Sequence, residues 1–121
     1  MSRADDRGIA FVLGVLAAVL LVLEAFVRLV LGVVFFATNH VLIGVGAVGS
    51  SIVFVVIGLL IGFFALIGRS PAPDRAMTSG IALVVLAILG WLVLGFSADV
   101  LGLLAGVLTF LAGVLFLVAA R

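Results

Sequence analysis

The sequence contains no cysteine, no lysine and no tyrosine, and it has a single histidine and a single tryptophan. The missing cysteines exclude a disulfide, a thiolate nucleophile and a cysteine-ligated metal site. The histidine, His40, has no acidic cluster beside it, so we interpret it as a loop residue and predict no metal site. The six arginines are scattered and form no basic patch, so no nucleic-acid partner is predicted.

Charged residues are also scarce: they make up 9% of the 121 residues, whereas hydrophobic residues make up 68%. The mean hydropathy is +1.70. A soluble domain of this size cannot bury so much apolar surface, which indicates that the chain is solvated by lipid. The expected partner is therefore the lipid bilayer, and residues 1–121 are expected to form a single transmembrane domain.

Four apolar stretches predict an all-α fold, a transmembrane four-helix bundle made of two antiparallel helical hairpins. The predicted helices span about residues 8–37, 41–67, 77–96 and 100–120, after a polar tail at 1–7. Two prolines mark a linker at residues 68–76, and short turns at 38–40 and 97–99 close the hairpins. The first stretch is too long for a signal peptide, so we expect the helix to be retained.

The arginines predict the orientation of this bundle. All but one fall on one side of the predicted topology: Arg3, Arg7, Arg69, Arg75 and Arg121. The opposite side carries Asn39, His40 and Asp99. Of these, Asp99 is expected to cap the fourth helix. Because positively charged short loops stay cytoplasmic, we expect a multi-pass protein of the cell membrane with both termini and the linker 68–76 in the cytoplasm.

One ion pair is predicted inside the membrane. Glu24 and Arg28 are four residues apart, which places them on one helix face in the favourable order. Ser50 and Ser51 return to the same depth on the second helix, roughly 15 to 20 Å from the turn at 38–40. The cluster can be an ion, proton or substrate site, because ionisable residues in membranes are functional candidates. It can equally be a neutralised pair that fixes the packing of two helices.

Neither a nucleophilic site nor a cofactor is predicted. No histidine lies at the depth of Ser50 and Ser51 to activate them. Gly44, Gly46 and Gly49 match the pattern G-x-G-x-x-G, but they lie within an apolar helix and follow no strand. A dinucleotide site requires that strand, so these glycines are interpreted as helix-packing or helix-bending residues.

Small residues four apart predict close helix contacts, because they let backbones approach in lipid. Gly58 and Gly62 form one such pair, and Gly102 and Gly106 form another. The sequence leaves open whether these glycines contact helices of the same bundle or a second copy.

Residues 106–114 read Gly-Val-Leu-Thr-Phe-Leu-Ala-Gly-Val. With Glu24 in the first helix, this segment resembles the small multidrug resistance transporters over about one helix and one residue. The resemblance implies four helices, a coupling role for Glu24, and a dimerising fourth helix that contains Gly106 and Gly113. The chain differs from that family because it has no tyrosine and because Arg28 follows Glu24 by four residues.

The sequence shows no catalytic constellation, and its loops are too short for a soluble site. These features predict a non-enzymatic small integral membrane protein. Its predicted role is that of a structural or accessory subunit, which packs through small-residue helix faces as a homo-oligomer or within a larger membrane complex. The alternative is a small proton- or ion-coupled transporter or channel that uses the membrane-embedded Glu24.

Overall fold

Four long helices make up nearly all of the chain that the computed structural model describes, which comprises residues 3–69, 73–92 and 100–120. The helices are α1 (Arg3–Ala37), α2 (Val41–Gly68), α3 (Pro73–Leu92) and α4 (Val100–Ala119). Each is long and apolar enough to cross a membrane. The prediction of an all-α four-helix bundle of a small multi-pass membrane protein is therefore confirmed.

The first helix begins earlier than predicted. The structure has α1 starting at Arg3 rather than Gly8, so most of the predicted polar tail is helical. Asp5 and Asp6 lie in its first turn. Carboxylates in this position favour the helix because they face the positive end of its dipole.

The third helix also begins earlier, at Pro73 rather than Met77. Proline suits the first position of a helix, since its fixed φ is already helical and its missing N–H is not needed there. The linker is therefore shorter than the predicted 68–76. The predicted end of the third helix, the turn at 97–99 with the Asp99 cap, and residue 121 lie outside the described residues.

The turn between α1 and α2 lies where the sequence predicts it and has a Schellman geometry. The N–H of His40 donates to the carbonyl of Phe35 at 2.8 Å, and that of Asn39 to the carbonyl of Phe36 at 3.2 Å. Asn39 has a φ of 64°, a left-handed conformation that asparagine tolerates better than most residues. The rings of His40 and Phe35 add an edge-to-face contact at 6.1 Å.

The four helices form a ring in which neighbours along the chain are neighbours in space. α1 packs against α2 and α4, and α3 packs against α2 and α4. The core combines a few large side chains with many alanines. Its largest fully buried hydrophobic residues are Leu21, Phe54, Ile61, Leu83 and Phe116, and its buried alanines include Ala10, Ala17, Ala105 and Ala112. Small residues suit this position because close backbone approach drives helix association in lipid.

Two pairs of glycines bring helix backbones together. A Cβ on Gly80 of α3 would lie 2.8 Å from the carbonyl oxygen of Gly113 of α4, and a Cβ on Gly113 would lie 2.9 Å from that of Gly80. Gly32 and Gly44 form the same reciprocal contact between α1 and α2, at 3.2 and 3.0 Å. Any larger residue at Gly80 or Gly113 would force α3 and α4 apart.

The α1–α2 hairpin extends past α4 on the side of the turn at 38–40, which we call the tip side. Gly14, Ala65 and Ala112 lie at one level, because a Cβ on Gly14 would be 2.8 Å from the Cβ of Ala65 and 3.9 Å from that of Ala112. On the tip side of this level α1 continues for 23 residues to Ala37, whereas α4 continues for only 12 residues, to its first residue, Val100. At 1.5 Å per residue, the hairpin extends roughly 16 Å beyond α4.

Candidate functional site

The predicted intramembrane ion pair is formed. Nε of Arg28 donates to Oε1 of Glu24 at 2.8 Å, one helical turn along α1. Glu24 is buried, with 3% of its surface exposed. The side chain of Arg28 is 21% exposed. The buried carboxylate is therefore neutralised by a guanidinium that still reaches the surface of the bundle.

Arg28 also connects α1 to α2. Its Nη1 donates to Oγ of Ser50 at 3.1 Å, and the Ser50 hydroxyl donates in turn to the carbonyl of Ala47 at 3.0 Å. The guanidinium carbon lies 4.3 Å from the centroid of the Phe54 ring, within the range of a cation–π contact. We call Glu24, Arg28, Ser50 and Phe54 the Arg28 cluster. Its contacts fix the register of α1 against α2.

Ser51, the remaining polar candidate, is bonded within its own helix. It is buried, and its hydroxyl donates to the carbonyl of Val48 at 2.7 Å. This bond satisfies the hydroxyl without a partner on α1. Of the two serines predicted beside the ion pair, the structure thus brings Ser50 to the arginine.

A cleft of about 580 Å³ opens beside the Arg28 cluster, between α1, α2 and the first residues of α4. Glu24, Arg28 and Ser50 form its polar part. Its apolar part consists of Val27, Leu31 and Phe35 from α1, Ala47 from α2, and Val100 and Leu101 from α4. A carboxylate, a guanidinium and a hydroxyl thus face one cavity, where a proton or a polar ligand can meet ionisable groups.

The predicted packing glycines of α2 lie beside α1. Gly58 is buried, and a Cβ on it would lie 3.3 Å from the carbonyl oxygen of Ala18. Gly62 is half-buried, and a Cβ on it would meet the Cβ of Ala18 at the ordinary distance of 3.8 Å. Both glycines line an apolar groove of about 550 Å³ on the outside of the bundle, which we call the α1–α2 groove.

The predicted packing glycines of α4 are all buried. A Cβ on Gly106 would overlap the indole of Trp91 on α3, and Gly113 contacts Gly80. Gly102 is buried at the start of the helix. The glycine face that resembles the dimerising helix of the small multidrug resistance transporters is thus used for packing within this chain.

Two buried hydroxyls lie outside the predicted site. Thr109 is fully buried and donates to the carbonyl of Ala105 at 2.7 Å in its own helix. Ser79 is also fully buried, and its hydroxyl has no hydrogen-bond partner among the described residues. Ser79 was not among the predicted site residues, although Ala76, Leu83 and Ala87 mark the same helix face at spacings of three and four residues.

The described residues contain no group of three or more histidines, aspartates and glutamates that could hold a metal ion. Comparison with known proteins gives no assignment: no family model, no curated protein and no solved structure matches the chain. Any function must therefore be argued from the Arg28 cluster and the surfaces around it.

Proposed function

We propose that this chain is a non-enzymatic structural or accessory subunit of an assembly in the cell membrane, with both of its termini on the cytoplasmic side. The observation that supports the proposal best is the set of contacts around Arg28. Its guanidinium touches Glu24, Ser50 and Phe54, so the ion pair is held by the bundle itself. A charge used in this way determines helix packing.

The energetics favour a packing role for the pair. Each charged residue at the centre of a membrane helix costs about 2.5 to 3.5 kcal/mol on insertion scales, whereas each Leu, Ile, Val or Phe returns about 0.3 to 0.6 kcal/mol. The apolar residues of α1 can therefore carry both charges into the membrane. Removing one partner would break the pair, which typically costs about 3 to 5 kcal/mol for a buried pair.

The α1–α2 groove is the surface that we propose for association with a second copy or with a helix of a larger complex. Its lining is apolar, and the small residues Ala18, Gly58 and Gly62 leave room for another helix backbone to approach closely. Leu59 and Phe63 flank these small residues and are 65% and 56% exposed. These two side chains can pack around an incoming helix.

The proposal can be tested by measuring self-association in vesicles, with energy transfer between donor- and acceptor-labelled copies. Gly62→Leu adds a side chain in the groove, and its Cβ would meet only Ala18 within the bundle, at the ordinary distance of 3.8 Å, so it should reduce energy transfer and leave the fold intact. Gly49→Leu is the matched control, because a Cβ on this exposed α2 glycine meets nothing within 4 Å. Equal energy transfer for the original protein and both variants would contradict association through the groove.

A second candidate function is a small proton- or ion-coupled transporter or channel. The observation that favours it is the cleft, which brings the buried carboxylate of Glu24 into contact with a cavity of about 580 Å³. The resemblance to small multidrug resistance transporters supports the same reading. In this reading Glu24 would take up and release a proton, and Arg28 would have to move away from it during each cycle.

A further inference from the structure

At the end of the bundle opposite the tip side, Arg69 is held against α1. It follows α2 directly, and its backbone N–H donates to the carbonyl of Ala65 at 3.1 Å. Its guanidinium carbon lies 4.9 Å from the centroid of the Phe11 ring of α1, within the range of a cation–π contact. Arg69 is exposed, whereas Phe11 is half-buried and packs against the core. The contact therefore fixes a positive charge at the surface between α1 and α2.

Arg7 lies on the same flank of α1. It precedes Phe11 by four residues, and Gly14 and Ala18, which follow at spacings of three and four, both contact α2. Residues with this spacing share one helix face, so Arg7 lies one turn, roughly 6 Å, beyond Phe11. Arg7 is half-buried, and its Nε is a buried donor with no hydrogen-bond partner among the described residues. A ligand that brings an acceptor would stabilise this donor.

No carboxylate neutralises these two guanidinium groups within the described part of the chain. Neither Arg7 nor Arg69 forms an ion pair with a described residue. Asp5 is two residues from Arg7, which places it on the opposite side of α1, and Asp6 is buried on the core face with Ala10. Two arginines in this arrangement attract an anion, and their planar guanidinium groups suit the oxygens of a phosphate in particular.

These arginines lie where the apolar parts of two helices end. Residues 8–23 of α1 and 41–68 of α2 contain no charged residue, so Arg7 and Arg69 are the first charges beyond them. Helix ends of this kind lie at the level of the lipid headgroups, where arginine keeps its apolar stem in the hydrocarbon and its charge outside it. The phosphates at this level belong to phospholipids.

The neighbouring surface toward the tip side suits acyl chains. Val15 lies one turn from Phe11, and Leu66 lies one turn from Arg69. These two residues are 36% and 59% exposed, and they line the end of the α1–α2 groove. A free anion such as inorganic phosphate gains nothing from this apolar surface, whereas a phospholipid contacts the arginines and the apolar residues at once.

We propose that Arg7 and Arg69 bind the phosphate of an anionic phospholipid, whose acyl chains lie against Phe11 and the adjoining end of the α1–α2 groove. An anionic lipid is favoured over a zwitterionic one, because the cationic group of the latter would meet two positive charges. The glycines of the groove lie nearer the tip side, so a lipid here is compatible with a helix packed on them. This inference does not depend on the proposed function.

The test places a reporter beside the site, using Phe11→Trp in a Trp91→Phe background, which makes the reporter the only tryptophan in the chain. The new ring keeps the contact with Arg69, because tryptophan is the best aromatic partner for a cation. The full chain is reconstituted into vesicles of equal parts phosphatidylglycerol and phosphatidylcholine, with bromine on the acyl chains of one lipid or the other. The matched control is Leu42→Trp in the same background, since Leu42 is 88% exposed at the tip-side end of α2.

We expect the Phe11→Trp reporter to be quenched preferentially by brominated phosphatidylglycerol, with a relative affinity of about tenfold or more, since each arginine near an anionic headgroup is worth about fivefold. The Leu42→Trp control should be quenched equally by the two lipids. Equal quenching at Phe11→Trp would overturn the proposal. Both arginines are intact in this protein, so their replacement cannot have disturbed its fold.

A second arm assigns the preference to the two arginines. Arg7→Gln and Arg69→Gln should each reduce it about fivefold. Arg75→Gln should leave it unchanged, because this exposed residue of α3 removes the same charge from the same end of the bundle. Equal reductions for all three variants would show a diffuse attraction and would overturn the site. Inorganic phosphate in the buffer should not reduce the preference; a loss on its addition would show a free anion as the ligand and would overturn the lipid assignment.

Discussion

Arg28 lies over the ring of Phe54, with 4.3 Å between the guanidinium carbon and the ring centroid. Phe54 is 1% exposed, so this contact is shielded from the surroundings of the bundle. Cation–π contacts of this kind are worth about 2 kcal/mol when they are desolvated. The ring therefore offsets part of the cost of burying a charge, and α2 contributes an aromatic face as well as a hydroxyl to hold α1.

The hydrogen bond between Arg28 and Ser50 should contribute measurably to stability. Ser50→Ala removes the acceptor of Arg28 on α2 and should lower the free energy of unfolding by about 1 to 2 kcal/mol. Ser51→Ala is the matched control, because its hydroxyl bonds only the carbonyl of Val48 in its own helix. Unfolding in mixed micelles of increasing denaturing detergent measures both. Equal losses for the two variants would show that the cross-helix bond contributes nothing.

The glycine contact between α3 and α4 should not tolerate a side chain. Gly113→Leu would place its Cβ 2.9 Å from the backbone oxygen of Gly80, and a backbone cannot rotate away as a side chain can. We expect a loss of about 1 to 3 kcal/mol, which is typical of overpacking. The same unfolding assay checks it, with Gly49→Leu as the control that meets open space. Similar stabilities for these two variants would argue against close α3–α4 packing.

The turn at 38–40 should depend on the left-handed conformation of Asn39. Asn39→Gly should keep or raise the stability, because glycine adopts this conformation freely. Asn39→Val should lower it by about 1 to 2 kcal/mol, the usual penalty for a side chain in this region. Thermal unfolding in detergent distinguishes the two, and a valine variant as stable as the glycine variant would exclude the strained turn.

Much of the fold could be predicted from the sequence because the strongest signals are local. Long apolar runs define the helices, and the spacing of Glu24 and Arg28 predicts their contact on a single helix. The depth of Ser50 followed from counting residues along two antiparallel helices. Each of these inferences needs only the geometry of a helix or a hairpin.

The remaining features depend on how helices rotate and shift against one another, and the sequence does not carry this information locally. Gly106 and Gly62 have the same kind of pattern, yet Gly106 meets Trp91 inside the bundle and Gly62 lines an outer groove. The cation–π contact of Arg28 requires that α2 turns Phe54, one of ten phenylalanines in the chain, toward α1. The early start of α3 follows from Pro73, which the sequence analysis interpreted as part of a linker.

The proposed orientation can be tested directly because the chain lacks cysteine. Single cysteines replacing Asn39 and Pro71 should be labelled by a membrane-impermeant maleimide from opposite sides of intact cells or spheroplasts. The arginine distribution predicts that Asn39→Cys reacts from outside and Pro71→Cys only after the membrane is opened. Labelling of both positions from both sides would instead indicate dual topology and would favour the transporter reading.

The most direct test of the central claim, that the ion pair is structural, is a double-mutant cycle at Glu24 and Arg28 combined with a flux assay. Glu24→Gln and Arg28→Gln should each destabilise the protein by about 3 kcal/mol or more, because each removes one partner of a buried ion pair. The double variant should lose much less than the sum of the two, since both charges are then absent. A Glu24→Gln protein that is as stable as the original, but that has lost a proton-coupled flux which the original shows in vesicles, would contradict the structural role and establish transport.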